Sequence, residues 1–156
     1  MPIAYIAVGS NLGNRKANID KARSLLESTF GQSILRSSEL YETNPVGGPA
    51  QGKYLNGVWE ISTYSSPRIL LEEILDIEER LGRKRTIRNA PRIMDLDILF
   101  YDDLIISENG LDIPHPRLHQ RSFVLKPLVE LCPYRQHPVL KKTVAQLLKG
   151  IHASCL

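Results

Sequence analysis

Two aspartates carry the strongest chemical signal in this 156-residue sequence. Residues 94–100 read Met-Asp-Leu-Asp-Ile-Leu-Phe, an apolar run broken only by Asp95 and Asp97. In a strand, residues i and i+2 share a face and stand roughly 6–7 Å apart. The two carboxylates therefore point the same way, while Met94, Leu96, Ile98 and Phe100 are expected to turn the other way into a core. Carboxylates held that close in a partly buried place repel each other unless a cation lies between them. Magnesium suits the pair, because it takes one or two carboxylates and fills its other positions with water and substrate phosphates. The plainer reading is an exposed strand face with two ordinary aspartates, and Asp-x-Asp alone does not separate the two.

The neighbours do. Residues 83–92 read Arg-Lys-Arg-Thr-Ile-Arg-Asn-Ala-Pro-Arg, so five of those ten are basic. Arg83, Arg85, Arg88 and Arg92 precede the aspartates, and His115, Arg117, His119 and Arg121 follow them. Guanidinium forks match phosphate oxygens, and a cleft lined with one sign of charge focuses its field on an ion. Carboxylates, magnesium and several arginines together make a polyphosphate site. By itself the basic loop also suits a solvated surface or a nucleic-acid patch.

Other chemistry is less well supported. Gly9-Ser-Asn-Leu-Gly13 lacks the lysine and spacing of a P-loop, and no strand leads into G-x-G-x-x-G. No Ser/His/Asp or Cys/His arrangement stands out. His115 and His119 have a spacing that zinc can use, but Pro114 and Pro116 spoil a helical presentation.

These residues need a scaffold. Residues 3–8 read as a buried strand and Gly9–Gly13 as a turn. Asn14 caps a helix with apolar positions at Ile19, Ala22, Leu26 and Phe30, ended by Gly31. Residues 33–41 and 54–63 read as strands, with a Pro/Gly-rich loop over 44–53. Ser66-Pro67 starts a second helix whose apolar face is Ile69, Leu70, Ile74, Ile77 and Leu81, ended by Gly82. A strand is expected over 93–101, a turn at Asp102-Asp103 and a short strand near 104–106. Residues 110–121 read as irregular. A helix over 124–131 has Pro127 in its first turn or kinked by it, and a last helix starts at Thr143, which with Gln146 fits a capping box.

That order is the split βαβ pattern of a ferredoxin-like α+β domain, an antiparallel sheet with two helices on one face. The C-terminal helices would cover the other face, giving a three-layer α/β/α arrangement. The whole of 1–156 reads as one domain, a usual size. No apolar run approaches the roughly 20 residues that span a bilayer. The apolar start lacks the basic region of a signal peptide. Cys132 and Cys155 have no ligand spacing around them, so free thiols in a reducing, cytoplasmic setting are expected. The net charge is only +3, so the clustering of charge carries more weight than its total.

Over nearly its full length the sequence resembles the 6-hydroxymethyl-7,8-dihydropterin pyrophosphokinase family. The matching segments are residues 4–13, Tyr41-Glu-Thr-Asn-Pro-Val-Gly47, Tyr54-Leu-Asn56, Ile77-Glu78, Gly82-Arg83, residues 90–99 and residues 113–125. The set Pro91-Arg92-x-x-Asp95-Leu96-Asp97-Ile98, with Pro114-His115 and Arg121 downstream, is highly specific.

The resemblance implies ATP and a pterin as small-molecule partners, two Mg²⁺ ions bound with ATP by Asp95 and Asp97, and a chain acting as a monomer without nucleic acid or membrane. It implies that Arg83, Arg92, His115 and Arg121 contact the triphosphate, aided by Arg85, and that Asp95, Asp97, Arg83 and Arg92 carry the catalysis. Glu78 would belong to the nucleotide pocket, and the Ile98 backbone would meet adenine. The pterin slot would comprise Thr43, Pro45, Val46, Gly47, Tyr54, Asn56 and Phe123. The chain departs from many members in carrying Asn89 for Trp and Ala90 for a frequent Gly, and from some members in carrying Pro116 for Tyr and Gly110 for Arg. Two other readings stay open: a nucleic-acid-binding ferredoxin-like module using the basic loop, and a relative that binds pterin or nucleotide without catalysis.

Overall fold

The structure, a computed structural model, describes residues 1–44, 52–82 and 93–154. Strand β1 (Ile3–Ser10) leads through a short turn into helix α1 (Arg15–Ser24), which widens into a π-helical turn over Leu25–Thr29. The Asn14 side chain accepts the Ala17 N–H and caps α1. Strands β2 (Ser33–Ser37), β3 (Tyr41–Thr43) and β4 (Tyr54–Ser62) follow, then helix α2 (Pro67–Arg80). Ser66 caps α2 through the Ile69 N–H, with Pro67 pre-set for the first turn. Gly82, at φ +93, supplies the left-handed residue that ends α2. Strand β5 (Asp95–Tyr101), the hairpin β6 (Ile106–Glu108) and β7 (Leu111–Ile113), and helices α3 (Ser122–Leu131) and α4 (Val144–Ser154) complete the chain.

The main sheet has the order β2-β4-β1-β5, with β3 pairing on β4 beside β2, and every pairing is antiparallel. This is the ferredoxin-like order. One core lies between the sheet and α1 and α2, where Ile6, Val8, Trp59 and Leu96 meet Leu26, Leu70, Ile74 and Ile77. A second lies on the opposite face, where Tyr5, Val58, Leu99 and Phe100 meet Val124, Leu125, Leu128 and Val144. The fold is therefore three-layer, helices on both faces of an antiparallel sheet. Among the described residues no helix is long and apolar enough to cross a membrane.

Several sequence-based expectations need correcting. Strand β1 runs through Gly9 to Ser10, because β4 pairs with it to Ser10 and β5 to Gly9. The strand expected over 33–41 is two strands. It breaks at 38–40, where Leu40 packs opposite Gly57, close enough that a Cβ on Gly57 would lie 2.7 Å from Leu40 Cδ2. The Ser38 hydroxyl fills the gap in the ladder by accepting the Val58 N–H. Ile69 is 46% exposed, and Glu78 takes a place on the buried stripe of α2 instead. The short strand after the Asp102 turn starts at Ile106, and the segment read as irregular contains β7.

The most consequential correction concerns β5. Met94, Leu96 and Ile98 do face the α1/α2 core, but Phe100 does not. Tyr5 pairs with Phe100 while Ile6 pairs with Ile98, so Leu99 is an extra residue on β5. A bulge of this kind resets the alternation of faces. Beyond it, Phe100 joins the α3/α4 core and Tyr101 joins the other.

Candidate active site

The C-terminal end of β1 gathers the site. On one side β5 pairs Asp97 with Ala7 and Asp95 with Gly9. On the other side β4 pairs Asn56 with Gly9, and β3 adds Thr43 beside Tyr54. Met94, Leu96 and Ile98 anchor β5 in the α1/α2 core, which leaves the half-buried Asp95 and Asp97 on the opposite face. The segment entering α3 closes the space above them with His115, Arg117, Arg121 and Phe123. The result is a cleft of about 270 Å³ lined by both aspartates, these four residues, and Gly9, Thr43, Asn44, Tyr54 and Asn56.

The cleft has two chemically different walls. One is charged. The His115 backbone N–H donates to the Leu99 carbonyl at 3.0 Å, tying the segment to the edge of β5. Burial pushes the His115 pKa down to about 4; Arg121 and Arg117 push the same way, and Asp95 opposes them. The imidazole is therefore neutral at neutral pH. Its Nδ1 accepts the Arg117 N–H at 3.1 Å, so the ring proton sits on Nε2. His115 is thus a neutral donor beside two arginines, a set suited to phosphate oxygens.

The other wall is amide and aromatic. The Asn56 Nδ2 donates to the Thr43 hydroxyl, which fixes how the amide is turned. Tyr54 and Phe123 supply ring surface, and the Arg121 guanidinium lies 5.5 Å from the Phe123 ring centroid. A flat heterocycle with both donors and acceptors fits such a wall.

Asp95, Asp97, His115, Arg121, Thr43, Tyr54, Asn56 and Phe123, expected from sequence to share a site, line this one cleft. Ile98 has its side chain in the core, between Asp97 and Leu99, which do line the cleft. Glu78 is 1% exposed, and its carboxylate accepts the Leu96 N–H at 2.8 Å. It does not line the cleft formed by the described residues. Arg83, Arg85, Arg92, Pro45, Val46 and Gly47, with the departures Asn89 and Ala90, lie outside the described residues. Arg117, which the sequence places among the cations flanking the aspartates, lines the cleft, and so do Asn44 and Gly9, which the sequence does not assign to it. Arg117 is legible in sequence as a cation in the His-Pro-Arg run. Gly9 reads as a turn residue from sequence, because its strand partners are distant in the chain.

Asp95 and Asp97 offer hard oxygen ligands from one strand face. Among the described residues no group of three or more His, Cys, Asp or Glu side chains completes a protein cage. Two carboxylates with open positions for water and phosphate fit magnesium.

A family model described as 7,8-dihydro-6-hydroxymethylpterin-pyrophosphokinase (HPPK) matches residues 5–133. The 2-amino-4-hydroxy-6-hydroxymethyldihydropteridine pyrophosphokinase of Bacillus subtilis (strain 168) is 45% identical over 130 residues, which is 83% of this chain and 78% of that protein. The protein of the same name from Aquifex aeolicus (strain VF5) is 37% identical over 146 residues, covering 94% and 90%. The Folic acid synthesis protein fol1 of Schizosaccharomyces pombe is 41% identical over 146 residues, but the chain spans only 20% of its length. A crystal structure of HPPK-DHPS in complex with substrates superposes with a TM-score of 0.78 over 99% of this chain and 44% of that one. At 16% identity, that likeness speaks for the fold.

Proposed function

The chain belongs to the 7,8-dihydro-6-hydroxymethylpterin-pyrophosphokinase family, and from that premise we propose that it transfers diphosphate from ATP to 6-hydroxymethyl-7,8-dihydropterin, releasing AMP, as a step in tetrahydrofolate biosynthesis. The observation that carries this reading is the two-walled cleft. Paired carboxylates and cations face an amide and aromatic slot across a space suited to a polyphosphate beside a heterocycle.

The slot holds the pterin, with Asn56 reading its edge and Phe123 and Tyr54 covering its faces. The hydroxymethyl group then points toward Asp95 and Asp97. Its oxygen attacks the β-phosphorus of ATP, and the bond from that phosphorus to the oxygen bridging it to the α-phosphorus breaks, so AMP leaves. The hydroxyl proton departs in the same step, with Asp97 as the candidate acceptor. Asp95 and Asp97 would hold magnesium, which when bound supplies charge neutralisation on the phosphates and acidifies the attacking alcohol. His115 donates from Nε2 to phosphate oxygen, and Arg121 and Arg117 offset the charge of the triphosphate. Positioning and electrostatics account for most of the catalysis in such a site. Arg83, Arg85 and Arg92 are proposed to add to the phosphate wall, and Pro45, Val46 and Gly47 to the pterin slot.

We further propose that the chain acts as a monomer in the cytoplasm and binds no nucleic acid. Among the described residues Cys132 is a free thiol, as a reducing compartment expects. Ferredoxin-like modules that bind RNA expose aromatics on an open sheet face, whereas here α3 and α4 cover that face.

The test is incubation with ATP, Mg²⁺ and 6-hydroxymethyl-7,8-dihydropterin. Equimolar AMP and pterin diphosphate are expected; ADP as the only nucleotide product, or no turnover beside an active control enzyme, refutes the proposal.

A further inference from the structure

Glu78 is a carboxylate in a place that helical packing ordinarily gives to an apolar residue. It follows Leu70, Ile74 and Ile77 on the buried stripe of α2 and is 1% exposed. A buried carboxylate persists where its oxygens are satisfied, and one partner is informative. Glu78 Oε2 accepts the backbone N–H of Leu96 at 2.8 Å.

Leu96 is the residue between Asp95 and Asp97. It belongs to β5, an edge strand of the sheet, with β1 on one side. The N–H groups of an edge strand that point away from its neighbour have no ladder partner, and that of Leu96 is given one by the helix. The Leu96 side chain is meanwhile buried under α2 in the first core. This residue is thus held at its peptide and at its side chain, while its two neighbours present their carboxylates on the opposite face.

Resting on the reading of Asp95 and Asp97 as a cation site, we propose that Glu78 is a positioning residue for that pair. It fixes the peptide between the two aspartates and so sets the spacing and direction at which both carboxylates meet a divalent ion bound with nucleotide. The role needs an acceptor at this place. Glutamine keeps an acceptor oxygen and leucine keeps only the packing, so the two substitutions separate the hydrogen bond from the filling of space.

The experiment compares the unaltered protein, Glu78→Gln and Glu78→Leu. Calorimetry measures binding of α,β-methylene-ATP across a Mg²⁺ titration, pterin binding is followed by fluorescence without metal, and AMP formation is assayed across the same Mg²⁺ range. Outer-shell partners of metal ligands are commonly worth 10–100-fold in metal affinity, so Glu78→Leu is expected to raise the Mg²⁺ concentration for half-maximal nucleotide binding by about tenfold or more. The same shift is expected in activity, with pterin affinity unchanged and Glu78→Gln close to the unaltered protein. A folded Glu78→Leu with unchanged Mg²⁺ dependence overturns the proposal, as does a Glu78→Gln impaired as much as Glu78→Leu. Should Glu78→Leu fail to fold, Glu78→Asp, one methylene too short to hold Leu96 where it now lies, decides instead. A shifted Mg²⁺ dependence supports the role and an unchanged one overturns it. If the unaltered protein shows no Mg²⁺-dependent nucleotide binding, the cation reading falls and this role with it. If that binding is present and Glu78→Leu matches it, the positioning role alone falls.

Discussion

Gly9 and Asn56 are partners across the β1–β4 ladder, and a Cβ at position 9 would lie 2.7 Å from Asn56 Oδ1 and 3.4 Å from Tyr54 Cδ1. Both residues line the cleft. The missing side chain at Gly9 is the room into which the Asn56 amide turns. Gly9→Ala is therefore expected to displace that amide and its bond to Thr43. Loss of one well-made hydrogen bond to the ligand corresponds to about tenfold weaker pterin binding. Fluorescence titration should show this, with nucleotide binding unchanged. Unaltered pterin affinity would contradict the arrangement.

A second expectation concerns acid. Under α3, Arg36 donates two hydrogen bonds to Glu60, at 3.0 and 2.8 Å, and the Tyr5 hydroxyl donates a third. The Arg36 contact leads in holding the Glu60 carboxyl below the usual carboxylate range, against the opposing effect of burial. The unfolded chain then binds the proton first as pH falls. Stability from this group is complete above the ordinary Glu value of about 4.3 and is lost as pH drops through the lower folded value. Glu60→Gln should cost about 1.5–3 kcal/mol at neutral pH, the range for hydrogen bonds to charged groups. Urea denaturation should show the gap to the unaltered protein narrowing as pH falls below the ordinary Glu value of about 4.3. A gap independent of pH would count against the linkage.

A third concerns Cys132. Burial pushes its thiol up to about 11. The thiolate is the reactive form, and at pH 8 it is roughly a hundredfold scarcer than for a thiol of ordinary pKa near 9. In a Cys155→Ser background, iodoacetamide should therefore modify the native protein about a hundredfold more slowly than the urea-unfolded chain, since access and ionisation both fall on burial. Mass spectrometry over time measures this; equal rates would contradict the burial of the thiol.

Helix ends were readable from sequence because capping is local. Asn14 and Ser66 cap as expected, and Thr143 and Gln146 exchange reciprocal side-chain bonds with each other's backbone N–H. What sequence did not show depends on partners remote in the chain. The split at 38–40 exists because Gly57 on another strand leaves room for Leu40. The β5 bulge exists only in register with Tyr5 and Ile6, and nothing within residues 93–101 announces it.

The site divides in the same way. Asp95 and Asp97 could be placed on one face from their spacing alone. Thr43, Asn56 and Phe123 lie on three different elements, and only the family resemblance joined them before the fold did. Hydropathy misplaced Ile69 and Glu78, because a carboxylate that satisfies an edge N–H can take a buried position that side-chain polarity argues against.

The open edge of β5 has one further consequence. The Leu96 N–H is taken by Glu78, and the Leu99 carbonyl is taken by the His115 N–H. Two of the outward-facing groups at which a strand from another molecule would begin to pair are thus already engaged. The same contacts that hold the aspartate-bearing end of the strand in place thereby blunt its edge against cross-chain β-addition.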